Sequence, residues 1–103
     1  MSAKVAIVTG GGTGIGKAIA LSLCKSGASV AILSRNAAHI EPAAAQLSEL
    51  GLTALALPTD LRSKAQVQRA VAEVVAKWGP IHILVNNAGI SGLSRIDDED
   101  DGK

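Results

Sequence analysis

The chain has 103 residues, 48% of them hydrophobic, which is enough for one domain with a core of its own. Ten basic against nine acidic side chains leave a formal net charge of +1, so nothing electrostatic points to nucleic acid or a membrane surface as a partner. A single cysteine, Cys24, excludes an intrachain disulfide, and no apolar run reaches membrane-spanning length.

Met1 to Lys4 holds no apolar segment of its own, so no signal peptide is expected and the expected location is cytoplasmic, with an organelle left open. With no Phe, no Tyr and one Trp, the core must be built from Ala, Val, Ile and Leu. Val5 to Val8 is short and apolar on both sides, as suits a strand of a parallel sheet covered by helices on each face. Gly10-Gly11-Gly12-Thr13-Gly14-Ile15-Gly16 follows, and a helical pattern opens near Gly14. Glycines let a ligand lie against the main chain, and the free N–H groups and positive dipole end of a helix favour an anion. Strand, turn and helix together therefore read as a phosphate-binding loop.

In residues 15 to 26, Ile15, Ile19 and Leu23 recur at four-residue steps with Ala18, Ala20 and Cys24 beside them, and Gly27 supplies the stop. Cys24 reads as a buried thiol rather than a reactive one. Ser29 to Ser34 is the second strand, broken by Arg35 and Asn36. Pro42 fits a first helical turn but clashes in an interior, so the next helix is expected from Pro42 to Leu50, with residues 37 to 41 as an irregular lead-in. Thr53 to Leu57 is the third strand, ended by Pro58-Thr59-Asp60. Ser63-Lys64-Ala65-Gln66 has the form of a capping box, and Val67, Ala70, Val71, Val74, Val75 and Trp78 follow at helical spacing. Gly79-Pro80 stops that helix, and Ile81 to Val85 is the fourth strand.

His39 and His82 have no acid or cysteine at ligand spacing, so no metal site is expected, and His82 reads as a surface residue at a strand end. Five of the nine acids fall in residues 97 to 101, leaving nine basic against four acidic residues in the first 96. Residues 91 to 103 accordingly read either as an acidic tail or as the acid-rich start of another helix, set apart from a domain over residues 1 to 90. The alternation of four strands with three helices makes the fold class α/β with right-handed crossovers.

The spacing Thr9-Gly10-x-x-x-Gly14-x-Gly16, joined by Asn86-Asn87-Ala88-Gly89 after the fourth strand, resembles the short-chain dehydrogenase/reductase family. The resemblance covers nearly the whole chain but only the first part of the family's domain. It implies a Rossmann-like doubly wound parallel sheet of strand order 3-2-1-4, truncated after the fourth strand, in which the two motifs meet at the carboxyl ends of strands 1 and 4. It also implies cofactor contacts from Gly10, Gly12, Thr13, Gly14, Ile15 and Gly16 in the loop, and from Ser34 and Arg35 after strand 2. Asp60 and Leu61 after strand 3 join them, as do Asn87, Ala88 and Gly89, with Asn87 closest.

In dinucleotide folds an acid at the end of strand 2 binds the adenosine ribose and repels a 2′-phosphate. Ser34 occupies that position here and Arg35 follows, which favours NADP over NAD, although the loop has Thr13 where many NADP-preferring members carry a basic residue. Asp60 is expected to accept from the adenine amino group, since Ser63 already serves as the helix cap.

The family's hydride transfer uses a Tyr as proton donor, a Lys that lowers its pKa, a Ser that orients the substrate, and an Asn in the helix after strand 4. This chain has no Tyr, and it is expected to stop before the fifth strand, so none of its residues is assigned a catalytic role. The resulting expectation is the NADP(H)-binding part of an oxidoreductase acting on an alcohol/ketone pair, inactive alone. The alternatives are a non-catalytic dinucleotide-binding module and an interaction partner of full-length relatives. Without a fifth strand, Ile81 to Val85 is expected to leave an unpaired apolar edge through which the chain self-associates.

Overall fold

The structure, a computed structural model, describes residues 4–10 and 14–86. Seven elements alternate along them: β1 (Val5–Thr9), α1 (Gly14–Lys25), β2 (Ser29–Ser34), α2 (Ala37–Glu49), β3 (Ala54–Pro58), α3 (Lys64–Trp78) and β4 (Ile83–Asn86). The strands form one parallel sheet in the order β3-β2-β1-β4, as the sequence reading expects. Val5 to Thr9 pair with Ser29 to Leu33 on one side, and Ala6 to Thr9 with Ile83 to Asn86 on the other.

Successive strand residues point to opposite faces, and both faces of this sheet are covered. Ala6, Val8, Val30 and Ile32 pack with Ala20 and Cys24 of α1 and with Ile40, Ala43 and Leu47 of α2. Val5, Ile7, Ala31 and Leu33 pack on the opposite face with Val67, Ala70 and Val74 of α3. Crossover handedness accounts for the division: the chain steps outward from β1 through β2 to β3, then returns past β1 to β4, so right-handed connections put α3 across the sheet from α1 and α2.

Several local features differ from the sequence expectation. The buried stripe of α1 is Gly16, Ala20 and Cys24, whereas Ile15 is 73% exposed and Ile19 and Leu23 are only partly buried. Small side chains at four-residue steps let the helix lie close on β1 and β2, and the larger residues flank that contact. Helix α2 begins at Ala37, not Pro42, because Asn36 caps it by accepting from the Ala38 N–H at 3.1 Å. Pro42 thus stands inside the helix, where one backbone bond is forgone, and burial of Ile40, Ala43, Ala44 and Leu47 offsets the loss. The ends of α1 and α2 match each other: Ala28 N–H bonds Leu23 O and Gly27 N–H bonds Cys24 O, as Leu52 bonds Leu47 and Gly51 bonds Ser48.

Strand β3 starts one residue later than expected and runs to Pro58, opposite Ser34, at the edge of the sheet where a proline is tolerated. Strand β4 starts at Ile83 rather than Ile81. His82 explains the shift, since its N–H donates to Val5 O at 2.9 Å while its Nδ1 accepts from Val5 N–H at 3.1 Å. The imidazole stands in for a strand carbonyl, so regular pairing begins one residue on. Cys24 is buried and lies 3.5 Å from Thr53 O, and burial raises its pKa, which keeps it a thiol.

The packing makes two substitutions diagnostic. Ile32 of β2 is fully buried in the cluster that the sheet forms with α1 and α2, so Ile32→Ala is expected to lower stability by about 2–5 kcal/mol. Ser63 caps α3 by accepting from Gln66 N–H, and Ser63→Ala should lose about 1 kcal/mol. Urea midpoints check both, and an Ile32→Ala variant no weaker than Ser63→Ala would contradict this account of the core.

Candidate functional site

The winding reverses at β1, which has β2 on one side and β4 on the other, so the carboxyl ends of β1 and β4 lie side by side at the switch point of the sheet. Two side chains tie these strand ends. Thr9 is fully buried, and its Oγ1 lies 3.2 Å from Asn86 Oδ1 and 3.4 Å from Val85 O. The first residue of the glycine motif and the first of the second motif are therefore in contact. Gly10 has φ 70°, which a side chain would resist, and its N–H still bonds Leu33 O at 2.9 Å before the chain turns away.

Beside this point, a cleft of about 390 Å³ is lined by Gly10, by Ser34, Arg35 and Asn36 after β2, and by Asp60, Leu61 and Arg62 after β3. Both turns form from local bonds. Ser34 Oγ accepts from Asn36 N–H at 3.2 Å, which curls the chain after β2 and leaves the Arg35 side chain exposed. Thr59 N–H bonds Ser34 O at 2.7 Å and Thr59 Oγ1 bonds Leu57 O, so the second turn is anchored to the first.

Asp60 organises the second turn. Its Oδ1 accepts from Arg62 N–H at 3.0 Å and Arg62 Nε at 3.3 Å, its carbonyl accepts from Ser63 N–H, and its N–H donates to Gln66 Oε1 at 2.8 Å. The capping box expected from Ser63 and Gln66 is thus only half formed: Ser63 caps Gln66, but Gln66 reaches past Ser63 to Asp60 because Asp60 O already holds the Ser63 N–H. The Arg62 N–H, then the Arg62 guanidinium, then the charge of Arg35 hold the Asp60 carboxyl below the ordinary carboxylate value.

Five residues singled out from the sequence, Gly10, Ser34, Arg35, Asp60 and Leu61, meet in this cleft. Gly14 opens α1, Ile15 stands exposed beside it, and Gly16 faces the sheet; none of the three lines the cleft. A Cβ added to Gly14 would meet nothing within 4 Å, so packing within the described chain does not require glycine there. Gly12, Thr13, Asn87, Ala88 and Gly89 lie outside the described residues, as does the acidic segment of residues 91 to 103. Asn36 and Arg62 were missed as lining residues. The cap signature of Asn36 and the charge two positions after Asp60 were the available signals. Among the described residues no cluster of His, Cys, Asp and Glu could hold a metal ion, and no helix is long and apolar enough to cross a membrane.

Comparison with known proteins bears on this arrangement. The short chain dehydrogenase family model matches residues 4–103. Sorbitol dehydrogenase of Cereibacter sphaeroides is 41% identical over 96 residues, a match covering 93% of this chain and 36% of that protein. The short-chain dehydrogenase/reductase homolog YusS of Bacillus subtilis is also 41% identical over 96 residues, and there the match covers 92% of this chain and 88% of its relative. Among solved structures, L-sorbose reductase from Gluconobacter frateurii, complexed with NADPH and L-sorbose, superposes with a TM-score of 0.79 at 37% identity, covering 87% of this chain and 35% of that one. The chain thus spans about a third of the first and third of these proteins and most of the second.

The bonding around Asp60 sets its pH behaviour. A depressed folded-state pKa means that the carboxylate contributes stability above the ordinary value of 3.8, and that this is lost as pH falls through the lower folded value. A carbon NMR titration should place Asp60 below 3.8, and Arg62→Ala should raise it only part of the way, because the leading cause is the backbone N–H of residue 62. Full return to the ordinary value in Arg62→Ala would contradict the assignment.

Proposed function

The chain belongs to the short-chain dehydrogenase family, and from that premise we propose that its cleft holds the adenosine phosphate end of NADP(H), as part of an oxidoreductase acting on an alcohol/ketone pair. The observation that carries the reading is Arg35, exposed in the cleft where the chain leaves β2, with Ser34 rather than an acid before it. A carboxylate there would repel a 2′-phosphate, whereas a guanidinium pairs with one through two parallel N–H bonds and can stack on adenine. The donor set fits such a group: Ser34 keeps an O–H to give, Leu61 offers an apolar surface, and Asp60 Oδ2 has no bond among the described residues and could accept from an amino group. The relative complexed with NADPH supports the choice of cofactor at the level of the family.

The loop is the second part of the proposal. Gly12, Thr13 and Gly14 are assigned to the pyrophosphate, for which the N-terminus of α1 supplies N–H groups and the positive end of its dipole. The open space at Gly14 then has a reason, since a ligand rather than the protein would need it. Asn87, Ala88 and Gly89 are assigned to the ribose on the nicotinamide side, with residues 1 to 90 as the cofactor-binding part of the chain. Bound there, the nicotinamide would supply or take a hydride. A carbonyl receiving hydride also needs an acid, and these 103 residues contain no tyrosine to provide the phenol that the family uses. The chain by itself is therefore read as a binding module without turnover of alcohols or ketones.

Calorimetric titration tests the reading. NADP(H) should bind more tightly than NAD(H), and Arg35→Ala should remove most of the difference, a factor of roughly 10 to 150 for a charge-assisted contact of about 1.5–3 kcal/mol. Replacing Gly14 with a bulky residue should weaken both cofactors alike. Equal affinities of the unaltered chain for the two cofactors, or alcohol turnover that copurifies with it, would sink the proposal.

A second property is proposed for the opposite edge of the sheet. β4 pairs with β1 and has no second neighbour among the described residues, and Leu84 on it is 40% exposed. Such an edge is a template for another strand, and we assign it to self-association of this chain. Leu84→Lys, on the exposed position, should shift sedimentation toward the monomer with less effect on stability than a charge at partly buried Ile83. A chain that is monomeric across a wide concentration range would refute the assignment.

A further inference from the structure

Resting on the reading of the cleft as an adenosine phosphate site, we propose that Arg62 is a second specificity-determining residue, whose guanidinium closes on the 2′-phosphate from the side opposite Arg35. The two arginines reach one cleft from different turns, Arg35 from the end of β2 and Arg62 from beyond β3. Their spacing is fixed, because Thr59 N–H bonds Ser34 O at 2.7 Å and Ser34 pairs with Pro58 in the ladder.

Charge balance favours two cations over one. Among the described residues, the charged residues of the lining are Arg35, Asp60 and Arg62. With Arg35 alone the lining would be formally neutral, since Asp60 is ionised and close enough to feel Arg35. A phosphate dianion entering a neutral lining beside a carboxylate gains little, whereas the second guanidinium makes the lining positive.

The bonding of Arg62 also suits it to the task. Its backbone N–H and its Nε both donate to Asp60 Oδ1, at 3.0 and 3.3 Å, which directs the side chain along the rim. Its Nη1 and Nη2 have no partner among the described residues, and the side chain is 63% exposed. An ion pair this exposed contributes little to folding, so stability does not account for the arrangement. The guanidinium is oriented by Asp60 through one edge while its outer edge remains available to a planar, bidentate acceptor.

The test uses 2′,5′-ADP and 5′-AMP, which differ only in the 2′-phosphate, titrated calorimetrically into the unaltered chain and its variants. Arg62→Ala should lower the preference for 2′,5′-ADP by about tenfold while leaving 5′-AMP nearly unchanged. Arg62→Lys, which keeps the charge but loses the fork, should retain part of the preference and provides a second variant if the alanine form folds poorly. Asp60→Asn added to Arg62→Ala separates direct contact from simple neutralisation of Asp60. The preference should stay low if Arg62 touches the phosphate, and its recovery would overturn the proposal. So would an Arg62→Ala chain with undiminished preference, and if Arg35→Ala abolishes the preference in that case, the adenosine phosphate reading stands and only the role of Arg62 falls. No preference in the unaltered chain would remove both.

Discussion

Right-handed connection of parallel strands is the constraint on which everything else in this chain depends. Each strand pair is joined by a helix, and that helix can return over only one face for a given direction of travel. Reversal of direction at β1 therefore splits the helices between the faces, buries β1 on both sides and sets the carboxyl ends of β1 and β4 side by side. The switch point is a by-product of the winding. Thr9 then ties it together, since a buried hydroxyl in contact with Asn86 holds two strand ends that are 77 residues apart in sequence.

The cleft beside that point is lined by short turns that satisfy their own polar groups. Ser34, Asn36, Thr59 and Asp60 each bond backbone within a few residues, and Gln66 reaches back to close the second turn. Backbone groups bonded in this way are not left to compete for a ligand. What remains at the cleft among the described residues is charge: two guanidiniums and a carboxylate whose ionised form both stabilise. A site of this kind selects by sign and shape rather than by depth.

Core packing and site formation draw on different residue sizes. The absence of Phe and Tyr leaves an aliphatic core in which α1 turns the small residues Gly16, Ala20 and Cys24 inward. Close approach places the N-terminus of α1 near the strand ends, where the helix dipole has its effect. The larger residues of the same helix sit at its margins, and Ile15 at its first turn is left in solvent.

Much of the fold was legible in the sequence because period and punctuation are local properties. Alternating apolar runs, the glycines after each helix and the Ser63 cap located all seven elements, and the two motifs located the strand ends that meet. The identity of Arg35 at the end of β2 was equally legible, since strand ends carry fixed roles in a doubly wound sheet. Other features depend on contacts between distant segments. Whether Pro42 opens a helix or stands inside one is decided by the burial of Ile40 and Leu47 against the sheet, and which side of α1 is buried by how closely the sheet can be approached. His82 shortens β4 only because Val5 lies opposite, and Gln66 turns to Asp60 only because the Ser63 N–H is already bonded. Composition and spacing determined the α/β class, the order of elements and the motif positions, because those follow from each residue's own backbone and burial preferences. Tertiary structure alone decided that Arg62 shares a cleft with Arg35, because the two lie 27 positions apart and only parallel pairing of β2 with β3 brings their turns together.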